Sequence, residues 1–196
     1  MPRTRKTKSQ SGRQGGRQGA RQGAGRGTRR GGSQKGMTSL QDLFKHELKD
    51  IYSGEHLLLD ALEELESEST DPKLAEAFAE HRQETEGHIA RLEQVAQTLN
   101  GEDGELEAEQ CPGIEGLIEE MKLFAKERPS PEILDVFNVG AGQKTERYEI
   151  TAYESLIEMA GKLGLRDAMG ELRANLQEEE AALEKLKTLG EQIEVA

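Results

Sequence analysis

Two histidines and a few glutamates stand where a helix should carry only apolar side chains. Leu74, Phe78, His81, Thr85, His88, Leu92, Val95 and Leu99 recur in alternating steps of four and three. That spacing is one stripe of an α-helix. The stripe is apolar at both ends and carries imidazoles in its middle. Buried polar groups need partners, so neighbouring helices should show matching insertions at their own midpoints. Three other stretches do. The first reads Phe44, Leu48, Ile51, Glu55, Leu58, Leu62, Leu65. Another reads Val136, Val139, Gln143, Glu146, Ile150, Tyr153, Ile157, Ala160. The last reads Leu165, Met169, Leu172, Leu176, Glu179, Leu183, Leu186. Each seam is broken by a carboxylate near its centre.

Carboxylates gathered at one level would repel each other and take up protons. A cation among them removes both problems. In helical bundles, di-metal carboxylate sites place one Glu on each of two helices and a Glu-x-x-His pair on each of the other two. Residues three apart share a helix face and can reach one ion. Here the first stretch offers Glu55 alone. The second offers His81 and Glu84, three apart in reversed order, with His88 four further on as a lesser candidate. The third offers Glu146 and Glu149, and the fourth Glu179, flanked by Glu178 and Glu180. A donor set of many carboxylates and one or two imidazoles suits two iron or manganese ions better than zinc or copper. Tyr52 and Tyr153 lie within one or two turns of Glu55 and Glu146, placed to hydrogen-bond the ligands. The metal-free account has Lys144 and Arg147, beside Glu146, neutralising it, so that the centre is a buried salt-bridge layer fixing register. His46 and His56 fall off the seam and read as surface residues. The Glu178–Glu180 run reads as a solvated face, with only Glu179 on the seam.

The elements that must position these groups are marked by their ends. Ser39 and Asp42 make a capping box ahead of a helix running to about Ser67. Asp71-Pro72 opens a second, which stops near Asn100-Gly101. Residues 101–112 form an acidic loop without the ligand spacing of an EF-hand. A short helix spans about Ile114 to Glu127. Ser130-Pro131 starts a third long helix, which reaches about Leu163 and contains Gly140 and Gly142, marks of a kink or a close helix contact. A fourth covers about Leu165 to Gly190. No strand pattern occurs, so the body is expected to be all-α, four long antiparallel helices with one long crossover, as in ferritin-like bundles.

Charge divides the chain more sharply than its net value of −12. Residues 1–38 hold eleven of the 26 Lys and Arg and no acid, leaving 15 basic against 38 acidic groups in residues 39–196. The first 38 residues repeat a Gly/Arg/Gln unit with almost no apolar side chain, a composition that predicts disorder. Arg13, Arg17, Arg21, Arg26, Arg29 and Arg30 could neutralise phosphates without sequence preference; aromatics that would stack on bases are lacking. No apolar stretch follows Arg29-Arg30, so the segment is not a signal peptide. Met37, just before the folded part, is a candidate second start. The single cysteine, Cys111, excludes an internal disulfide. No apolar run approaches the roughly 18–20 residues of a membrane span.

Several stretches together carry a resemblance. They are Leu40 to Tyr52 followed by Glu55, His81 to Gly87, Glu115 to Ile118, Glu146 to Tyr153, and Glu178-Glu179. In order and spacing they resemble the YciE/YciF family of bacterial ferritin-like proteins, long catalogued as a domain of unknown function. The resemblance implies a four-helix bundle with a short fifth helix, a di-metal centre, a homodimer, a bacterial cytoplasmic setting and a link to stress responses. It puts Glu55, His81, Glu84, Glu146, Glu149 and Glu179 at the family's polar centre. Arg147 replaces the His of the family's Glu-His-Tyr-Glu string, and His88 stands where Gln is usual, adding a ligand candidate. The expected roles are Glu55 and Glu146 as terminal or bridging ligands, Glu84 and Glu149 as bridging, and His81 as terminal. The function expected is oxygen, peroxide or iron handling near nucleic acid. The alternative is a non-enzymatic helical adaptor whose polar centre is structural.

Overall fold

Among the described residues, five helices follow from these signals. The computed structural model describes residues 36–100 and 106–195. The basic segment, with Arg13, Arg17, Arg21, Arg26, Arg29 and Arg30, and residues 101–105 of the acidic loop lie outside the described residues. Ser39 and Asp42 exchange both bonds of the capping box at the start of α1 (Leu40–Glu68). Asp71 Oδ1 accepts from the backbone N–H groups of Lys73 and Leu74 and so caps α2 (Pro72–Asn100). α3 (Pro112–Lys126) and α4 (Pro131–Leu163) both open on proline. The Ser130 side chain expected to cap α4 makes no such bond. Gly164, with φ of 74°, closes α4 in the left-handed region that glycine occupies freely. α5 (Arg166–Gly190) follows directly. No strand occurs among the described residues, and no helix among them is long and apolar enough to cross a membrane.

The long helices pack as a ring in the order α1, α2, α5, α4. α1 and α2, like α4 and α5, are antiparallel through short links. Lys73 meets Gln192, Glu80 meets Lys185 and His88 meets Glu178, so α2 rises as α5 falls. The end of α1 is tied to the start of α4, where buried Asp135 accepts from the Thr70 and Asp71 N–H groups and the Thr70 hydroxyl at 2.5–3.0 Å. α2 and α4 therefore point the same way on opposite corners. The chain must cross the bundle's length between them, and α3 is carried on that crossover against α1 and α4. This is the ferritin-like bundle expected from the sequence.

The core falls into two apolar clusters. One joins Phe44, Leu48 and Ile51 to Leu92, Val95, Leu156 and Leu172. The other joins Leu58, Leu62 and Leu65 to Leu74, Phe78, Ile114, Val139 and Leu186. Each such side chain stabilises the fold by about 1.5–3 kcal/mol. The seams of α1 and α2 are buried as read, apart from half-buried Leu99. In α4 and α5 the innermost row is shifted from the expected one. It runs Gly142, Glu146, Glu149, Tyr153, Leu156, Ala160 and then Leu172, Asn175, Glu179, Ala182, Leu186, while Ile150, Ile157, Leu176 and Leu183 are only half-buried and Val136 is exposed. Small residues permit this close approach. A Cβ on Gly142 would stand 2.8 Å from Leu186 Cδ1. Gly140, by contrast, faces open space.

Candidate metal centre

Between the two apolar clusters lies a layer with almost no solvent exposure. It contains Glu55 from α1, His81, Thr85 and His88 from α2, Glu146, Glu149 and Tyr153 from α4, and Asn175 and Glu179 from α5. Two groups of its donors are compact. His81, Glu146, Glu149 and Glu179 each offer an atom within 4.8 Å of the others, and so do Glu55, His88 and Glu179. Glu179 belongs to both. The two imidazole centroids are 6.1 Å apart.

The histidines are held alike. His81 turns Nε2 inward, 3.4 Å from both Glu146 and Glu179, and sets Nδ1 against the partly exposed Glu84 at 3.2 Å. His88 turns Nδ1 inward, 2.9 Å from Glu179 and 3.4 Å from Glu55, and sets Nε2 against the partly exposed Glu178 at 2.9 Å. Arg91 in turn pairs with Glu178 and bonds Asn175 Oδ1. A carboxylate on the outer nitrogen fixes the N–H there and leaves the inner nitrogen's lone pair to the centre, which is how metal-binding histidines are oriented.

The carboxylates are less well served. Both oxygens of Glu149 and of Glu179, Oε2 of Glu55 and of Glu146, and Nδ1 of His88 have no hydrogen-bond partner among the described residues. The close approaches of Glu179 and Glu146 to the imidazoles lack hydrogen-bond geometry. Desolvation, reinforced by the neighbouring carboxylates, raises the Glu146 and Glu149 carboxyls well above their usual range, and burial raises Glu179 as well. Burial pulls the His88 imidazolium down, but contact with Glu179 and Glu55 outweighs it and lifts the ring to about 11. His81 is raised too, Glu146 and Glu84 overcoming its burial. Each buried polar atom without a partner costs about 1–3 kcal/mol. A divalent cation would engage all of these atoms together, and hard carboxylate oxygens with two imidazoles match iron or manganese. The residues present therefore fit the group that the resemblance implies.

Of the candidates read from the sequence, Glu55, His81, Glu146, Glu149, Glu179 and His88 come together here. Glu84 lies outside both groups and orients His81, and its own carboxyl is lowered by that hydrogen bond. Glu178 likewise orients His88 from its outer nitrogen. Tyr153 donates to Glu55, with Asn175 Nδ2 2.9 Å from its oxygen, and burial keeps that phenol protonated. Tyr52 turns away and donates to Glu93 at 3.1 Å. Lys144 pairs with Glu120, and among the described residues Arg147 reaches only the Gln143 carbonyl, so neither neutralises Glu146. His46 is exposed against Glu109, and His56 is exposed. Asn175 and Arg91 were not among the sequence candidates. The only hint to Asn175 was its place one turn before Glu179.

The comparisons agree with the fold. Residues 39–195 match the profile of a domain of unknown function, DUF892. Protein YciF of Escherichia coli K12 is 37% identical over 153 residues, which are 78% of this chain and 91% of that protein. The crystal structure of the E. coli stress protein YciF superposes with a TM-score of 0.75 at 36% identity, covering 80% of this chain and 97% of that one. YcfI from Rhodopseudomonas palustris gives 0.76 at 35% identity, covering 79% and 97%. The chain belongs to the DUF892 family, the YciF-like helical bundles.

Proposed function

We propose that the buried layer holds two iron or manganese ions and that the protein handles iron, dioxygen or peroxide during stress. The observation that supports this most directly is the set of buried carboxylate oxygens without partners on Glu55, Glu146, Glu149 and Glu179. His81, Glu146 and Glu149 would hold one ion, Glu55 and His88 the other, and Glu179 would be shared. Such ions supply one-electron steps toward dioxygen or peroxide. The chain's own part is to fix the ligands through Glu84, Glu178 and Tyr153 and to keep water out with the two apolar clusters. E. coli YciF is described as a stress protein, and that setting is carried over as part of the proposal. The Gly/Arg-rich segment would bring this chemistry to nucleic acid.

Metal analysis of the full chain, purified without chelators, tests the centre beside Glu55→Ala and Glu146→Ala. About two ions per chain, reduced in both variants, is the expected result. Wild-type protein that fails to take up added iron or manganese refutes it. A salt-dependent gel shift with residues 1–196, lost with 37–196, tests the segment; no shift at low salt overturns that part.

A second reading draws on the two imidazoles. His88 touches Glu55, Glu178 and Glu179, and both rings are raised. The layer would then be a salt-bridged spacer in a non-enzymatic adaptor, in keeping with the structural role suggested for YcfI. Melting with and without a chelator separates the two, because a spacer is indifferent to metal removal.

A further inference from the structure

We propose that dioxygen is bound in an apolar pocket among α1, α2, α3 and α4 whose floor is Glu146 and Glu149. The assignment rests on the di-metal reading above and names the face from which the centre is served. Leu58, Ala61, Leu62, Leu65, Phe78 and Met121 wall the pocket. Its free volume, about 10 Å³ for the centre of a water-sized sphere, suits a single very small molecule. Glu149 lines it with both oxygens unbonded.

The walls decide what fits. A water or a peroxide needs two or more polar partners in so small a space. Thr145, which also lines the pocket, spends its hydroxyl on the Ala141 carbonyl at 3.2 Å. His81 lines the pocket too, and its Nε2, like the Glu146 and Glu149 oxygens, is committed to the ions on the reading above. What remains is hydrocarbon and a thioether, an environment that favours an uncharged, apolar diatomic. A second pocket touches the centre from the α2–α5 side, but Glu84 and Lys185 line it and make it polar. Met121 belongs to the crossover helix, so α3 acquires a task, namely closing the wall that α1 and α4 leave open.

Xenon is the probe for the pocket, since it enters apolar cavities without regard to metal. Xenon-129 NMR on the full chain should show a bound signal in the wild type and in Lys185→Met, which removes the cation from the polar pocket. The signal should be lost in Ala61→Leu. Met121→Phe, changing a half-buried side chain at the wall, gives the same test should Ala61→Leu misfold. In the ferrous-loaded protein, whose iron supplies the electrons, Ala61→Leu or Met121→Phe should slow dioxygen consumption about tenfold at unchanged iron content. Lys185→Met should consume it at the wild-type rate. No xenon signal in the wild type, or wild-type consumption in a filled variant of equal iron content, overturns the assignment. A wild type that binds xenon but no iron refutes the di-metal reading, and the dioxygen assignment falls with it.

Discussion

Asp135 and Glu149 are both buried carboxylates on α4, and they are buried in opposite ways. Asp135 meets three donors from the α1–α2 turn, and both of its oxygens are engaged. Glu149, four turns along the same helix, meets none among the described residues. Asp135 is a structural clamp that fastens one loop to one helix start. Glu149 is destabilising unless something else is bound. Burial alone therefore does not mark a functional acid. The mark is burial without partners, and it recurs on Glu55, Glu146 and Glu179 at one level of the bundle.

The largest effect expected from breaking this contrast is on metal content. Glu179 belongs to both donor groups, so Glu179→Gln should lose both ions, whereas Glu55→Gln should keep the one held by His81, Glu146 and Glu149. Equal losses in the two variants, measured by mass spectrometry, would contradict the sharing. Asp135→Ala should act in the other manner. It leaves the donors of Thr70 and Asp71 unpaired and should cost about 3 kcal/mol in urea melts, loaded or metal-free alike. A cost present only in the loaded protein would place Asp135 with the centre.

The sequence made one half of this contrast legible and not the other. α1 and α2 read correctly because large apolar residues alternate with charged ones, so the polar interruptions Glu55, His81 and His88 stand out. In α4 and α5 the apolar residues occupy two adjacent rows, and the wider side chains drew the reading to Ile150, Leu176 and Leu183. The fold turns the other row inward because Gly142, Asn175 and Ala182 are small enough for the narrow middle of the bundle. Asn175 was hidden for that reason: a polar residue beside Leu176, which the apolar row claims, reads as surface. Asp135 was hidden as well, since its partners lie 64 and 65 residues away in sequence.

Acidity sharpens the contrast further. The usual carboxyl value is 4.5, and burial raises Glu146, Glu149 and Glu179 above it in the fold. Between that value and their folded ones, the metal-free native state binds more protons than the unfolded chain, so stability falls as pH rises. His88 works in the same direction. Its contribution is complete below 6.5 and is lost as pH rises toward about 11. Ion binding needs these groups deprotonated, so loaded protein should instead gain stability with pH. Thermal melts of chelated and loaded protein at pH 5.5 and pH 8 (roughly spanning the window) should show opposite slopes. Parallel slopes would mean that no cation uses these carboxylates.

A smaller effect separates the ligands from the residues that aim them. Glu84 and Glu178 hold the outer nitrogens of His81 and His88 and stand partly in solvent. Glu84→Gln and Glu178→Gln should leave the ion count intact while weakening affinity by about 10- to 100-fold in competition with a chromogenic chelator. Unchanged affinity in both would leave the orienting role without support.

The smallest expected effect bears on the salt-bridge account, in which Lys144 and Arg147 neutralise Glu146. Residues one and two apart on a helix do not share a face, and the structure follows that rule. Lys144 pairs with Glu120 of α3 and Arg147 turns to solvent, while Glu146 points inward at His81. Lys144→Ala and Arg147→Ala should therefore each shift stability by no more than about 0.5 kcal/mol, as exposed substitutions do, and leave metal content unchanged. A loss of several kcal/mol in either would return the neutralising role to these cations. The unpaired oxygens of Glu146 and Glu149 would then no longer need an ion.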